Sequence, residues 1–323
     1  MDRRAFIATV TASILAAPIV GEAQPVGGKV PRIGFLQRAR NENVGVFLQA
    51  LRAAGYVDGQ SAVIDTRIYE GSLERLPQLA NELVALKYDV IVAAAPYAIK
   101  AALAATSTIP IVGIDLESDP VASGWVRSLN RPGGNLTGLF LDLPELGGKQ
   151  IQLLKEAVPK LSRVAVLWDS AIGDVQFRAT EAAGRGAGLV VQSLAIQRSQ
   201  DFQDAFDRAA REASQGVIVL SSPLINEQRS HIAAMALKNR LPTISLFTSF
   251  PESGTLMAYG PNLQELYKRA PSYVDKILKG ARPGELPIER PTRFDFVINL
   301  KTAKALGVTI PPSLLARADQ VIQ

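Results

Sequence analysis

The chain has 323 residues, 47% of them hydrophobic and 20% charged, which is long enough for two ordinary domains and too apolar for a disordered chain. It has no cysteine and one histidine, His231, so disulfides, thiolate nucleophiles and zinc–thiolate centres are excluded. The net charge of +5 comes from Lys and Arg scattered beside acidic residues, not from the single basic stripe of a nucleic-acid binder.

Residues 1–23 read as a signal peptide. Asp2-Arg3-Arg4 is a charged start, residues 6–20 are apolar and small, and Gly21-Glu22-Ala23 places small residues at the cleavage positions. Cleavage is expected after Ala23. The arginine pair fits a general secretory or a twin-arginine signal. No later segment is apolar and long enough to anchor the chain in a membrane. The expected product is therefore a soluble periplasmic protein, and a monomer.

From Arg32 onward, strand and helix patterns alternate. Short apolar runs at 33–37, 62–69, 89–94, 109–115 and 136–141 read as buried strands. Helical spacing falls at 44–54, 73–86, 98–105 and 121–129. The alternation then restarts, with helices at 149–158, 175–186, 202–213 and 231–239, and strands at 163–168, 189–196, 216–221 and 242–247. A strand at 254–259, a helix at 263–279, a strand at 294–300 and a helix at 302–306 follow. Two runs of βα units predict two doubly wound α/β lobes, each on a parallel sheet. The expected division is 30–140 plus 249–284 for one lobe and 141–248 plus 285–323 for the other. Hinge crossovers are expected near 115–145, 248–254 and 284–294.

Ligands of parallel α/β sheets bind beyond the carboxyl ends of the strands. The candidate ligand-binding residues are accordingly Gln37, Arg38 and Asn41, then Ala95, Pro96 and Tyr97, then Asp115, Asp119 and Asp142. The second lobe offers Trp168, Asp169, Ser170, Ser222 and Phe247, with Tyr259 after the next strand. Pro96 suits the first turn of a helix, whose free N–H groups can hold a carboxylate. Arg38 or Arg40 can add a charge-assisted bond to it. An aspartate among Asp115, Asp142 and Asp169 can pair with an ammonium group, and Trp168 and Tyr97 can wall off an aromatic part. Against these roles stand plain structural ones: Trp168 as core, Asp169 as a helix cap, Asp119-Pro120 as a turn.

No enzymatic constellation is visible. The first strand runs Gly34-Phe35-Leu36-Gln37-Arg38-Ala39, without G-x-G-x-x-G; there is no P-loop and no nucleophile elbow. Gly133-Gly134-Asn135-Leu136-Thr137-Gly138 precedes a strand, where a phosphate loop would follow one. His231 sits in Glu227-Gln228-Arg229-Ser230-His231-Ile232, which reads as the exposed opening of a helix. No catalytic residue, metal or cofactor is expected.

Longer stretches carry a family likeness. They include residues 51–60 (LRAAGYVDGQ), Ile109-Pro110-Ile111-Val112, Ser118-Asp119-Pro120-Val121, residues 131–138 (RPGGNLTG), residues 153–159 (LLKEAVP), residues 273–280 (YVDKILKG) and residues 297–307 (VINLKTAKALG). From about Pro31 to the C-terminus the chain resembles the substrate-binding proteins of bacterial ATP-driven (ABC) uptake systems, the group with tryptophan- and tyrosine-type members. The resemblance implies a type I periplasmic-binding fold with three crossovers, hinge closure on a small organic solute, and an ABC permease and ATPase as partners. An amino-acid-like or aromatic carboxylate is the expected cargo. Two positions depart from the family pattern: Ala94-Ala95-Pro96-Tyr97, where a hydroxyl residue is common, and Glu117, where small or apolar residues are common. The alternatives are a ligand-binding sensor that reports to a membrane receptor and, less well supported, an α/β enzyme.

Overall fold

The computed structural model describes residues 29–141 and 144–323, without the side chains of 144 and 145; the expected signal peptide and the candidate Asp142 lie outside the described residues. In the first sheet, β1 (Arg32–Gln37), β2 (Val63–Ile68), β3 (Val90–Ala94), β4 (Ile111–Asp115) and β5 (Leu136–Phe140) alternate with α1 (Glu42–Ala53), α2 (Leu76–Ala85) and α3 (Pro96–Ala105). The five strands are all parallel, in the order β2-β1-β3-β4-β5. Successive residues face opposite layers. Leu36, Ile91 and Phe140 pack under Leu83, Ile99 and Tyr69, while Phe35, Val92 and Ile114 pack with Phe47, Leu51 and Tyr273. Gly138 has φ +138°, and a Cβ there would run into the carbonyl of Gly113, so glycine lets β4 and β5 approach.

The second half begins with α4 (Pro144–Ala157), β6 (Arg163–Asp169), α5 (Val175–Gly186), β7 (Val190–Ile196) and α6 (Asp201–Arg211). It continues through β8 (Val217–Val219), α7 (Pro223–Glu227), α8 (Arg229–Lys238), β9 (Thr243–Ser245), α9 (Ser249–Glu252) and β10 (Met257–Pro261). After α10 (Leu263–Leu278) come β11 (Phe294–Asn299), α11 (Leu300–Leu306), α12 (Pro312–Leu315) and β12 (Gln320–Ile322). The second sheet has seven strands in the order β12-β11-β10-β9-β8-β6-β7. It is parallel except for the antiparallel pair β10–β11. In α6, Phe202, Ala205, Phe206 and Ala209 recur at helical spacing and all are buried, which fastens that helix to the sheet.

Two expectations change. Residues 121–129 form a turn, not a helix. Asp119 Oδ1 accepts from the N–H groups of Val121 (2.8 Å) and Ala122 (3.1 Å), the N–H groups of Trp125 and Val126 fold back to the Pro120 carbonyl, and Gly124 is left-handed. The stretch 249–261, expected with the first lobe, carries β10, which is hydrogen-bonded into the second sheet. The chain returns to the first lobe only with α10, which packs on α1 and on β3, β4 and β5. It stays there through residue 289, since Gly138 and Glu289 share a backbone bond. The chain thus passes between lobes after Leu141, at Asn262 and at 290–293. Asn262 Nδ2 donates to Asp295 Oδ2 (2.8 Å), tying the second crossing to the start of β11, just after the third.

Candidate functional site

The carboxyl ends of β1, β3 and β4 face those of β8, β9 and β10 across a cleft of about 810 Å³. The first lobe lines it with residues 37–43, Ala94, Ala95, Ile114, Leu116 and Glu117. The second lobe supplies Ser221, Ser222, Pro223, Asn226, Glu227, Arg229 and residues 247–249, and the crossing at 261–264 with Tyr267 closes one side. Parallel strands end here, and so do the short turns that leave backbone N–H groups and small polar side chains facing the space.

Of the sequence candidates, Gln37, Arg38, Asn41, Ala95, Ser222 and Phe247 line this cleft. Gln37 is 2% exposed, and its Nε2 has no hydrogen-bond partner. Tyr69, which follows β2, is fully buried with an unpartnered hydroxyl, and Asn226 carries a buried, unpartnered Oδ1. Several candidates are also caps. Asn41 Oδ1 accepts from Val44 N (3.3 Å) and starts α1, and Ser222 Oγ accepts from Ile225 N (3.0 Å) and starts α7. Ala95 stands at the start of α3 with φ +74° and ψ 160°, a conformation normally reserved for glycine. Pro96 is buried in the first turn of that helix.

Asp115 is fully buried beneath the cleft floor. Its Oδ1 accepts from Glu117 N (2.8 Å), and its Oδ2 has no partner. Burial, and then the neighbouring Glu117 carboxylate, hold its proton well above the usual carboxylate range. Burial raises Asp169 as well, partly offset by hydrogen bonds from Ala171 N and Ser222. Tyr97 lies near Asp169 of the other lobe; burial, and then that carboxylate, push the phenol up.

The remaining candidates point elsewhere. Trp168 stacks on Phe177 (4.8 Å between ring centres, 13° between planes) and donates Nε1–H to Ser193 Oγ (2.8 Å), packing inside the second lobe. Tyr259 stacks on Phe294 at 6.0 Å. Ser170 donates to the Ile196 carbonyl (3.3 Å), and Asp119 is taken up by its turn.

Further side chains join the two lobes at or behind the wall. Glu117 Oε1 accepts from Ser221 Oγ (2.5 Å) of the other lobe. Gln176 on α5 donates to the Glu117 carbonyl (3.4 Å) and to that of Ser221 (3.2 Å). Arg38 Nε donates to Glu227 Oε1 at 2.5 Å across the cleft. Among the described residues no group of three or more His, Cys, Asp or Glu is placed to hold a metal ion, and no helix is long and apolar enough to cross a membrane.

Comparison with known proteins agrees with this geometry. A family model described as ABC transporter substrate binding protein matches residues 36–322. A tyrosine-binding protein of Clostridioides difficile (strain R20291) is 26% identical over 272 residues, covering 81% of this chain and 75% of that protein. Among solved structures, an ABC domain from Streptococcus pneumonia in complex with L-Trp has a TM-score of 0.83 at 26% identity, covering 91% of this chain and 100% of that one. A ligand-free, open substrate binding protein with adhesive properties from Clostridium difficile reaches 0.67 at 25% identity over the same shares. At nearly equal identity, the chain as a whole superposes more closely on the tryptophan complex than on the open protein.

Proposed function

The chain belongs to the ABC transporter substrate-binding protein family, and from that premise we propose that it captures an amino-acid-like or aromatic carboxylate in the interlobe cleft. The family and the two-lobed type I periplasmic-binding fold make solute capture the protein's work; the cargo is our reading. The observation that carries it is a set of buried polar atoms with no protein partner: Gln37 Nε2 and Asn226 Oδ1 in the cleft wall, and Tyr69 Oη close to Arg38 and Glu117 of that wall. Buried donors and acceptors without partners are costly, and a polar ligand that pairs with them recovers that cost. Gln37 Nε2 and Tyr69 Oη offer donors to a carboxylate. Arg38, Arg40 and Arg229 add positive charge along the wall. Phe247 and Tyr267 provide apolar faces for a ring.

In this reading the mature protein acts as a periplasmic monomer after loss of residues 1–23, closes by hinge motion on its solute, and delivers it to a permease and ATPase without chemical change. A thermal-shift screen of refolded mature protein against amino acids and aromatic acids tests the cargo. A ligand at 100 times its dissociation constant adds about 2.7 kcal/mol, which is several degrees in Tm. A shift from one such class, with the ligand recovered unchanged, supports the proposal. Shifts confined to an unrelated class, such as sugars, refute the cargo, and recovery of a chemically altered ligand refutes non-catalytic capture.

A further inference from the structure

Arg38 is the arginine that the sequence offers most directly to a ligand carboxylate, yet its Nε–H is given to Glu227 on the opposite lobe, 189 positions away, at 2.5 Å. The guanidinium lies against the backbone of Gly71, where a side chain would strike it. The arginine side chain is 19% exposed and the glutamate 39%. Burial pulls the Arg38 pKa down, and the hydrogen bond and charge of Glu227 more than restore it, leaving it above its ordinary value. Glu227 ends α7, a short helix opened by Pro223 and capped by Ser222, which aims the carboxylate back at the first lobe. A second contact of the same kind joins Ser221 Oγ to Glu117 Oε1, and Gln176 adds a third to the Glu117 carbonyl. All three lie between the two lobes. Each can form only when the lobes are together.

We propose that Arg38 and Glu227 are positioning residues that form an ion-pair latch across the mouth of the cleft, with Glu117 and Ser221 as a second tie, so that the protein's own groups hold a fraction of the molecules closed before any solute arrives. Arg38 then sets how long the cleft stays shut, and the ligand anion falls to Gln37 and Tyr69 instead. The latch deepens the proposed function by assigning the closing step of that site, but it stands on interlobe contacts alone and is measurable without knowing the cargo.

The test uses the absence of cysteine in the natural chain. Glu74 and Gln200 are exposed, in the segments that follow the outermost strands β2 and β7 of the two sheets. A Glu74→Cys, Gln200→Cys protein therefore takes two spin labels and no others. Distances are measured by pulsed electron spin resonance on protein refolded to remove bound solute, in low salt and in 1 M NaCl, with and without Glu227→Gln. The expected result is a bimodal distance distribution. Its short component should fall relative to the long one by about two- to fivefold in Glu227→Gln, the range for a partly exposed pair. Salt should weaken it similarly in the parent and little in the variant. A distribution identical in parent and variant at both salt concentrations overturns the latch and leaves the cargo proposal untouched. Failure of the thermal-shift screen, conversely, leaves the latch standing. Circular dichroism and melting temperature confirm that the variant is folded, and Ser221→Ala, which removes the second tie, should lower the short component independently.

Discussion

Replacing Gln37 by methionine separates a binding residue from a structural one. The side chain is 2% exposed, and its Nε2 has no partner in the protein. A buried amide left unpaired costs about 1–3 kcal/mol, so a residue kept there for folding alone would be a poor choice. Methionine preserves the length and unbranched stem of glutamine and removes the polar head. Two effects of opposite sense are expected. Stability of the solute-free protein, measured by urea unfolding, should hold or rise by up to about 1 kcal/mol as the unsatisfied donor is removed. Affinity for the solute found by screening, measured by calorimetry, should fall by about 5- to 160-fold, the equivalent of about 1–3 kcal/mol. A variant that loses more than about 1 kcal/mol of stability while keeping its Kd would refute the assignment and make Gln37 a packing residue.

Ala95→Gly should stabilise the protein. A strained non-glycine backbone costs about 1–3 kcal/mol, and the added freedom of glycine in the unfolded chain returns about 0.4–1 kcal/mol of that, so urea unfolding should show a net gain. Asp115→Asn should flatten the fall of stability with rising pH. The folded state holds the Asp115 proton above the usual carboxylate range, so it binds more protons than the unfolded chain and loses stability as pH climbs through that window. Asp169 is shifted in the same sense and stays in place, so Tm measured from pH 4 to pH 8 should decline less steeply in the variant, not become level. Trp168→Phe should lower Tm modestly and leave solute affinity within about twofold, a difference of about 0.4 kcal/mol, because the ring packs on Phe177 and not on the cleft.

Much of the fold is legible because buried parallel strands and amphipathic helices write strong local patterns. Val90–Ala94 is five apolar residues, all buried, and α6 carries its core at perfect helical spacing. The rule that sites lie beyond strand ends leads to Gln37, Arg38, Asn41, Ala95, Ser222 and Phe247, all of which line the cleft. Strand parity would have corrected Trp168: it shares a face of β6 with Val164 and Val166, which belong to the second lobe's own core. Pairing partners are harder to read. Nothing local in residues 257–261 tells whether β10 joins one sheet or the other; the choice is made by hydrogen bonds to other segments, β9 and β11. Glu227 escaped notice for a similar reason. It sits in a five-residue helix too short to show a period, and its partner, Arg38, is brought to it only by the meeting of two lobes.

The most direct test of the account is a crystal structure of the mature protein with the solute selected by the thermal-shift screen. The account predicts the solute enclosed between the lobes, its carboxylate within hydrogen-bond distance of Gln37 Nε2 or Tyr69 Oη, its apolar part against Phe247 or Tyr267, and Arg38 still paired with Glu227. A solute bound outside the cleft, or inside it with Gln37 and Tyr69 unengaged, would contradict it.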